Sequence, residues 1–375
     1  MEDLFDQIER SVQHGIKKHF QEDPVESLKI EIAPHPDSEE GQLLVQRIFD
    51  HYRAYGYPHV RFNDKTLHDD FQALQNQQVP IQNDCLRSNM VGLRIVNMFH
   101  PIMDQVPCRG YRTALQVFQN DDFFKGAIRK MLLHAKEPGR TVGNRIRIHL
   151  LSYSRVQAVS NFRPGSAKSI YDTLEPNKVL DFSMGWGGRL LAALAGGYSY
   201  IGIDPSIHSY RGNQAIRHKI RTLFPNQKFE ARLIRACAED VLGTGMFQGV
   251  DLICTSPPYF NAEQYEDSPH QSFQRYPTQE LWYTGFLQRC LEGSFKDLAD
   301  GGHLVINVNP DMAERTIQYA TGAGFTHTQT WWYLLSLRQQ NKKHDPSHVR
   351  GEPTFVFRKG SPRKPTDGST LDLFG

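Results

Sequence analysis

From Lys178 onward the chain alternates short apolar runs with stretches of helical periodicity, and this rhythm limits the architectures open to it. Runs at Lys178–Phe182, Tyr200–Ile203, Phe229–Ile234, Val250–Thr255 and His303–Val308 read as strands. Between them Gly188–Ala195, His208–Phe224, Thr278–Ala299 and Asp311–Thr321 read as helices. The best supported is Thr278–Ala299, where Trp282, Phe286, Leu287, Leu291, Phe295 and Leu298 recur at three- and four-residue steps. Such alternation calls for a mostly parallel, doubly wound sheet with right-handed crossovers and helices on both faces. Two later runs, Thr326–Tyr333 and Thr354–Arg358, follow one another without a helix between them. They read as an antiparallel pair closing one edge.

Ahead of this α/β part the pattern is different. Leu4, Ile8, Val12, Ile16 and Phe20 lie four apart on a helical face, whereas Glu22 to Gln82 is polar, spotted with aromatics and without a clear period. A further helix is expected at Asp121–Ala135, with Asn120 or Asp121 as its cap and Phe124, Ile128, Leu132 and Leu133 on one side. Glu137–Gly143 (EPGRTVG) punctuates the chain and marks a junction. The organisation expected is a mainly helical region over 1–150, an α/β domain over 151–360 and a flexible tail over 361–375.

Charge adds a constraint. Lys and Arg number 43 against 41 Asp and Glu, a net of +2, which excludes a uniformly basic protein. The balance is uneven, however. Residues 1–84 carry a net of −8, residues 123–170 a net of +9, and residues 335–364 a net of +6. Two basic blocks in a near-neutral chain suggest a polyanion-binding face, and a merely solvated surface is an equally available reading. The five cysteines (85, 108, 237, 254, 290) are far apart with no C-x-x-C pair, which excludes a disulfide scaffold and fits a reducing, cytoplasmic location. No apolar stretch of spanning length is free of charge, so no membrane association is expected, and the 16 His show no ligand spacing that argues for a metal.

Two segments carry chemistry. In Val179-Leu-Asp-Phe-Ser-Met-Gly-Trp-Gly-Gly-Arg-Leu-Leu191 a buried strand ends at Asp181, and Ser183, Gly185, Gly187 and Gly188 lead into a helix. Glycines there allow a tight turn and a close-lying ligand. About twenty residues on, Ile201-Gly-Ile-Asp-Pro205 ends the next strand in an acid, Asp204, suited to a ribose diol. The dinucleotide pattern G-x-G-x-x-G is not met, because Arg189 and Leu190 follow Gly188. In the second segment, Asp251-Leu-Ile-Cys-Thr-Ser-Pro-Pro-Tyr-Phe260, a strand ends in a proline-stiffened corner. Ser256 and the carbonyls around Pro257 and Pro258 offer oxygen acceptors, and Tyr259 offers a ring, the set that an exocyclic amine on a flat base requires.

This pair resembles the cofactor and catalytic motifs of the S-adenosylmethionine-dependent DNA amino-methyltransferases, which modify the N4 amine of cytosine or the N6 amine of adenine. Family members carry Asp, Asn or Ser before Pro-Pro-aromatic, and Ser256-Pro-Pro-Tyr259 conforms. Asn161-Phe-Arg-Pro-Gly-Ser-Ala-Lys168 resembles the family's N-terminal cofactor segment, and Ala238-Glu-Asp240 its adenine-contacting acid. The likeness runs from about Asn161 to Lys359. It implies a Rossmann-like methyltransferase fold with S-adenosylmethionine as cofactor. It assigns Phe162 and the turn through Asp181, Ser183, Gly185 and Gly187 to the methionine part. Asp204 falls to the ribose, and Asp240 or a nearby amide to the adenine, with a helix cap as the alternative for Asp240. Ser256 and Pro257 would accept from the target amine, Pro258 would stiffen the corner and Tyr259 would stack on the base. Ser in the first place leans towards cytosine.

The resemblance has gaps. Many family members have a separate recognition domain, and here that duty would fall on the N-terminal region, on Phe260–Tyr276 or on Arg338–Gly351. Arg140, Arg145, Arg147 and Arg155 in one basic block, and Lys342, Lys343 and Arg350 in the other, are expected to contact phosphates rather than to read bases. Thr370-Leu-Asp-Leu-Phe374 resembles a peptide that docks on the replication sliding clamp, through Leu371, Leu373 and Phe374, although the usual leading Gln is missing. The leading expectation is methylation of DNA. RNA or an already modified base as substrate, or a non-catalytic DNA-binding relative, are the alternatives.

Overall fold

The structure is a computed structural model, and it describes residues 34–134, 142–334 and 351–360. The chain divides into two compact units, each built from non-contiguous segments. One takes the described residues up to Gln72 together with Leu93–Asn161 and Asn261–Asp267, and the other takes Ala73–Gly92, Phe162–Phe260 and the described residues from Ser268 onward. The junction expected at 150/151 therefore falls at 161/162, and 73–92 joins the α/β unit, which no change in composition signals.

The α/β unit is organised around one eight-stranded sheet: β1 (Cys85–Arg87), β2 (Lys178–Asp181), β3 (Ser199–Ile203), β4 (Ala231–Ile234), β5 (Val250–Thr255), β6 (Leu298–Asn307), β7 (Phe325–Leu334) and β8 (Gly351–Lys359). Their spatial order is β1-β7-β8-β6-β5-β2-β3-β4. β2, β3, β4, β5 and β6 pair in parallel, β8 runs antiparallel to both β6 and β7, and β1 pairs in parallel with β7. This mostly parallel order with one reversed strand is a Rossmann-like methyltransferase fold. Two expectations are corrected. β7 and β8 do not close the edge, because β8 lies inside the sheet between β6 and β7, and β1 covers the outer side of β7. Leu298 opens β6 instead of ending a helix: it is buried opposite Val250, and a register irregularity absorbs the residues before His303.

Buried Leu180, Ile203, Ile253, Leu304 and Ile306 of the central strands, with Phe182 just after β2, pack with Trp282, Phe286, Leu287 and Leu291 of the segment that follows Thr278. That segment is helical from Gln279 to Asp297 but passes through a π turn at Tyr283–Gln288. Thr278 caps it through its side chain, which accepts from the Leu281 amide.

The other unit is helical. Glu39–Tyr55, Ala114–Gln119, Asp121–Leu133 and Val142–Leu151 enclose a core that includes Ile48, Val117, Phe124, Ile128, Met131 and Ile146. The Asp121 helix starts as read, with the Asn120 side chain accepting from the Phe123 amide. Among the described residues of the polar stretch 22–82 are two helices, Glu39–Tyr55 and Asp64–Gln75. The expected first helix, most of the Glu137–Gly143 junction and the tail lie outside the described residues. No described helix is long and apolar enough to cross a membrane.

Candidate functional site

Ligands of open parallel sheets bind outside the carboxyl ends of the strands, where the strand order changes direction. Here that place is between β2 and β5. From β2 the chain builds outward through β3 and β4 on one side, and through β5 and β6 on the other. β2 and β5 are in register as Val179↔Leu252 and Leu180↔Ile253. The turn after Asp181 and the corner at Ser256 therefore leave neighbouring strands at the same end, beside Asp204 after β3 and Asn307 at the end of β6.

The turn after β2 is fixed by its backbone. Gly185 has φ 49° and Gly187 has φ 82°, both in the left-handed region. Gly187 is the N-cap of the Gly188–Gly196 helix, and a Cβ there would lie 2.0 Å from Asn213 Oδ1. Asn213 Nδ2 in turn donates to the Gly185 carbonyl at 2.8 Å. Asp204 is buried, and its carboxylate accepts from the Gly185 amide at 2.9 Å and from the Ser206 amide at 2.9 Å. The carboxylate thus ties the turn after β2 to the loop after β3, with one oxygen on each amide.

Asp181 departs from its expected role. Its side chain is fully buried and meets the chain's own groups: Arg189 Nε at 2.7 Å, Arg189 Nη2 at 3.2 Å, Tyr200 Oη at 2.8 Å and the Ser183 amide at 3.2 Å. With four donors already on two oxygens, Asp181 holds the turn from beneath and is not a direct cofactor ligand. Arg189, buried on the first helical turn, also donates to the Ser183 carbonyl. Burial disfavours the Arg189 charge, but the Asp181 carboxylate more than offsets this and pushes the guanidinium above its usual range. Burial also pushes the Tyr200 phenol up, reinforced by the same carboxylate, so it remains a donor. Phe162 lies over Arg189 at 5.3 Å and stacks on Tyr333, with ring centroids 5.0 Å apart and an 18° tilt.

Asp240 also has an internal partner. It sits in the short Ala238–Val241 helix, and both its oxygens accept from Arg275, at 2.6 and 2.9 Å. Arg275 reaches the buried Glu239 as well, at 2.9 Å. The cap reading fails, because the N-cap is Cys237. What the acid does here is anchor the Ser272–Arg275 segment.

At the end of β5, Pro257 is buried, while Ser256, Pro258 and Tyr259 are partly open. Ser256 Oγ lies 3.4 Å from Asn307 Oδ1, and Tyr259 Oη lies 3.3 Å from the same atom and 3.2 Å from Glu352 Oε2. Asn307 is buried, and its Nδ2 donates to Thr354 Oγ1 at 3.1 Å and to the Pro353 carbonyl at 3.4 Å. The reversed direction of β8 explains this convergence, since its first residues lie at the edge where the parallel strands end. Asn307 faces Thr354 in the ladder, and Glu352 faces Tyr333. The sequence reading missed both residues. Asn307 could have been found as a polar residue ending an apolar run, by the logic that singled out Asp181 and Asp204. Glu352 carries no such signal.

In the helical unit two of the basic residues are turned inward. Arg147 grips Asp104 through Nε at 2.6 Å and Nη2 at 2.8 Å, and Arg145 is buried. Neither is an exposed phosphate contact. Arg155 is exposed, whereas Arg140, Lys342, Lys343 and Arg350 lie outside the described residues, as do Leu371, Leu373 and Phe374. Among the described residues no three His, Cys, Asp or Glu are grouped to hold a metal.

No protein-family model matches this chain, and no curated protein matches it in sequence. Solved structures similar to part of it include TrmN from Thermus thermophilus, at 17% identity over 52% of this chain and 48% of that one, with a TM-score of 0.37. An S-adenosylmethionine-dependent methyltransferase from Methanosarcina mazei is 15% identical over 51% of this chain and 96% of its own, with a TM-score of 0.35. An rRNA methylase from Streptococcus thermophilus is 12% identical over 54% of this chain and 99% of its own, with a TM-score of 0.34. Each match spans about half of this chain, and the assignment of the fold rests on the order and direction of its strands.

Proposed function

We propose that this chain is an S-adenosylmethionine-dependent methyltransferase that modifies the exocyclic amine of a nucleic-acid base, with DNA as substrate and cytosine N4 or adenine N6 as target. The observation carrying this reading is that the glycine turn, Asp204 and Ser256–Tyr259 share one edge of the sheet, at the point where strand order reverses.

The residues present fit the cofactor. Asp204 can accept from a ribose diol, Gly185 and Gly187 leave the turn without side chains, and Phe162 offers an aromatic ring beside it. Asp181 is neutralised by Arg189, so any attraction for a positively charged donor must come from elsewhere in the site. The bound cofactor supplies an electrophilic methyl group. The chain's own part is to make a poor nucleophile attack it. An amine conjugated with a base ring has little free lone-pair density. Acceptors at Ser256 Oγ and the Pro257 carbonyl take hydrogen bonds from its two N–H groups, bend the nitrogen towards tetrahedral geometry so that its lone pair leaves conjugation, and stabilise the positive charge that develops on nitrogen. Tyr259 supplies the stacking face. A base within a duplex cannot present its amine edge-on to such a corner, so it is flipped out or taken from a single strand.

The test is transfer of labelled methyl groups to DNA and to RNA, with the modified base identified by mass spectrometry. Label on a base amine of DNA, lost in Ser256→Ala while cofactor binding persists, is the expected result. Label confined to RNA moves the substrate assignment to RNA. Undiminished transfer by both Ser256→Ala and Tyr259→Ala overturns the catalytic assignment.

A further inference from the structure

Ser256 can both donate and accept, which is an ambiguity in a site meant to recognise an amine. A hydroxyl has one proton and two lone pairs. If its proton were free, Ser256 could equally bond a ring nitrogen or a carbonyl oxygen and hold the wrong edge of a base. The structure removes the ambiguity through Asn307.

The amide orientation of Asn307 follows from its neighbours. The Pro353 carbonyl can only accept, so the atom facing it at 3.4 Å must be the NH2 group, which also donates to Thr354 Oγ1 at 3.1 Å. Oδ1 is thereby turned towards the corner, where it faces Ser256 Oγ at 3.4 Å and Tyr259 Oη at 3.3 Å. Tyr259 has a second acceptor in the Glu352 carboxylate at 3.2 Å, and a carboxylate is the stronger of the two. The Tyr259 proton goes to Glu352, and Asn307 Oδ1 is left to take the proton of Ser256.

We infer that Asn307, oriented by Thr354 and the Pro353 carbonyl and relieved of Tyr259 by Glu352, is a positioning and specificity-determining residue that turns Ser256 into an acceptor. The site then selects a donor edge, that of an amino group, over a keto or ring-nitrogen edge. This rests on the function proposed above and names the device by which the same site chooses its substrate edge.

The experiment is a double-mutant cycle between Asn307→Leu and Ser256→Ala. It reads kcat and KM for methyl transfer to DNA, cofactor Kd by calorimetry and the melting temperature of each variant. Asn307→Leu is expected to lower kcat by about tenfold to a hundredfold while cofactor Kd stays within about twofold. Adding Ser256→Ala to it is expected to cost little more, because the two act through one hydroxyl. Thr354→Val keeps the shape of the strand and leaves the Asn307 amide held by the 3.4 Å bond to the Pro353 carbonyl alone, which loosens its orientation. It is expected to reproduce a smaller loss of the same kind, and it carries the test if Asn307→Leu does not fold. Full kcat in Asn307→Leu or, failing that variant, in Thr354→Val, beside an impaired Ser256→Ala, overturns the inference and leaves the proposed function standing. Strictly additive losses do the same. An unimpaired Ser256→Ala removes the proposed role of the corner, and the inference falls with it.

Discussion

The ion pair beneath the glycine turn gives a sharp test, because a cofactor ligand and a structural staple respond differently to the same substitution. Asp181 is fully buried and Arg189 nearly so, with Nε and Oδ2 2.7 Å apart. Asp181→Asn keeps size and shape but leaves the guanidinium without its counter-charge. Breaking a buried pair by removing one partner costs about 3–5 kcal/mol, because the remaining charge is uncompensated. Tyr200 also loses a charged acceptor, which adds to the cost. The exchange of β2 and β3 amides with deuterated water reads this locally, and protection there is expected to fall by about two to three orders of magnitude or more. Replacing both members, Asp181→Leu with Arg189→Met, removes both charges together and is expected to recover most of the loss. A structural staple predicts that this double variant regains the protection lost by Asp181→Asn. If instead Asp181→Asn leaves protection within a factor of about five of the parent and abolishes cofactor binding, the carboxylate is a ligand and the internal-pair argument is wrong.

Two further outcomes are expected. Gly187→Ala combines left-handed strain with a Cβ 2.0 Å from Asn213 Oδ1, and it disturbs the bond from Asn213 to Gly185. It should cost about 2–4 kcal/mol in urea unfolding, partly recovered by Asn213→Ala, and a cost below about 0.5 kcal/mol would show the turn to be adaptable. In the helical unit, burial lowers the His59 imidazole from 6.5 to about 4, with Arg61 and Arg147 lowering it and Asp104 opposing. Above pH 6.5 both folded and unfolded states are neutral, so His59 contributes nothing. As pH falls towards 4 the unfolded chain takes up a proton that the folded unit refuses, which costs up to about 3 kcal/mol and levels off below that pH. Unfolding of the parent and of His59→Gln at pH 7 and pH 4 should differ in acid sensitivity by that amount, and equal sensitivity would mean that His59 is solvated.

The sequence alone determined the elements whose signal is local. Lys178–Asp181 and Val250–Thr255 are strands because consecutive apolar side chains there suit burial on both faces of a sheet. The turn at Gly185–Gly187 is visible because only glycine accepts those backbone angles against Asn213. Ser256-Pro-Pro-Tyr259 is legible because two prolines stiffen a corner without help from elsewhere. What tertiary structure decided is the fate of the charges and the company of the corner. Whether Asp181 faces a ligand or Arg189 depends on the helix eight residues on, and whether Arg147 is a surface cation depends on Asp104, 43 residues away. Asn307 and Glu352 reach Tyr259 across 48 and 93 residues, the first from the parallel neighbour β6 and the second from β8, whose reversed direction comes from pairing and not from its own composition. Local sequence fixes backbone preference, whereas the partner of a buried polar group is set by the pairing of distant strands.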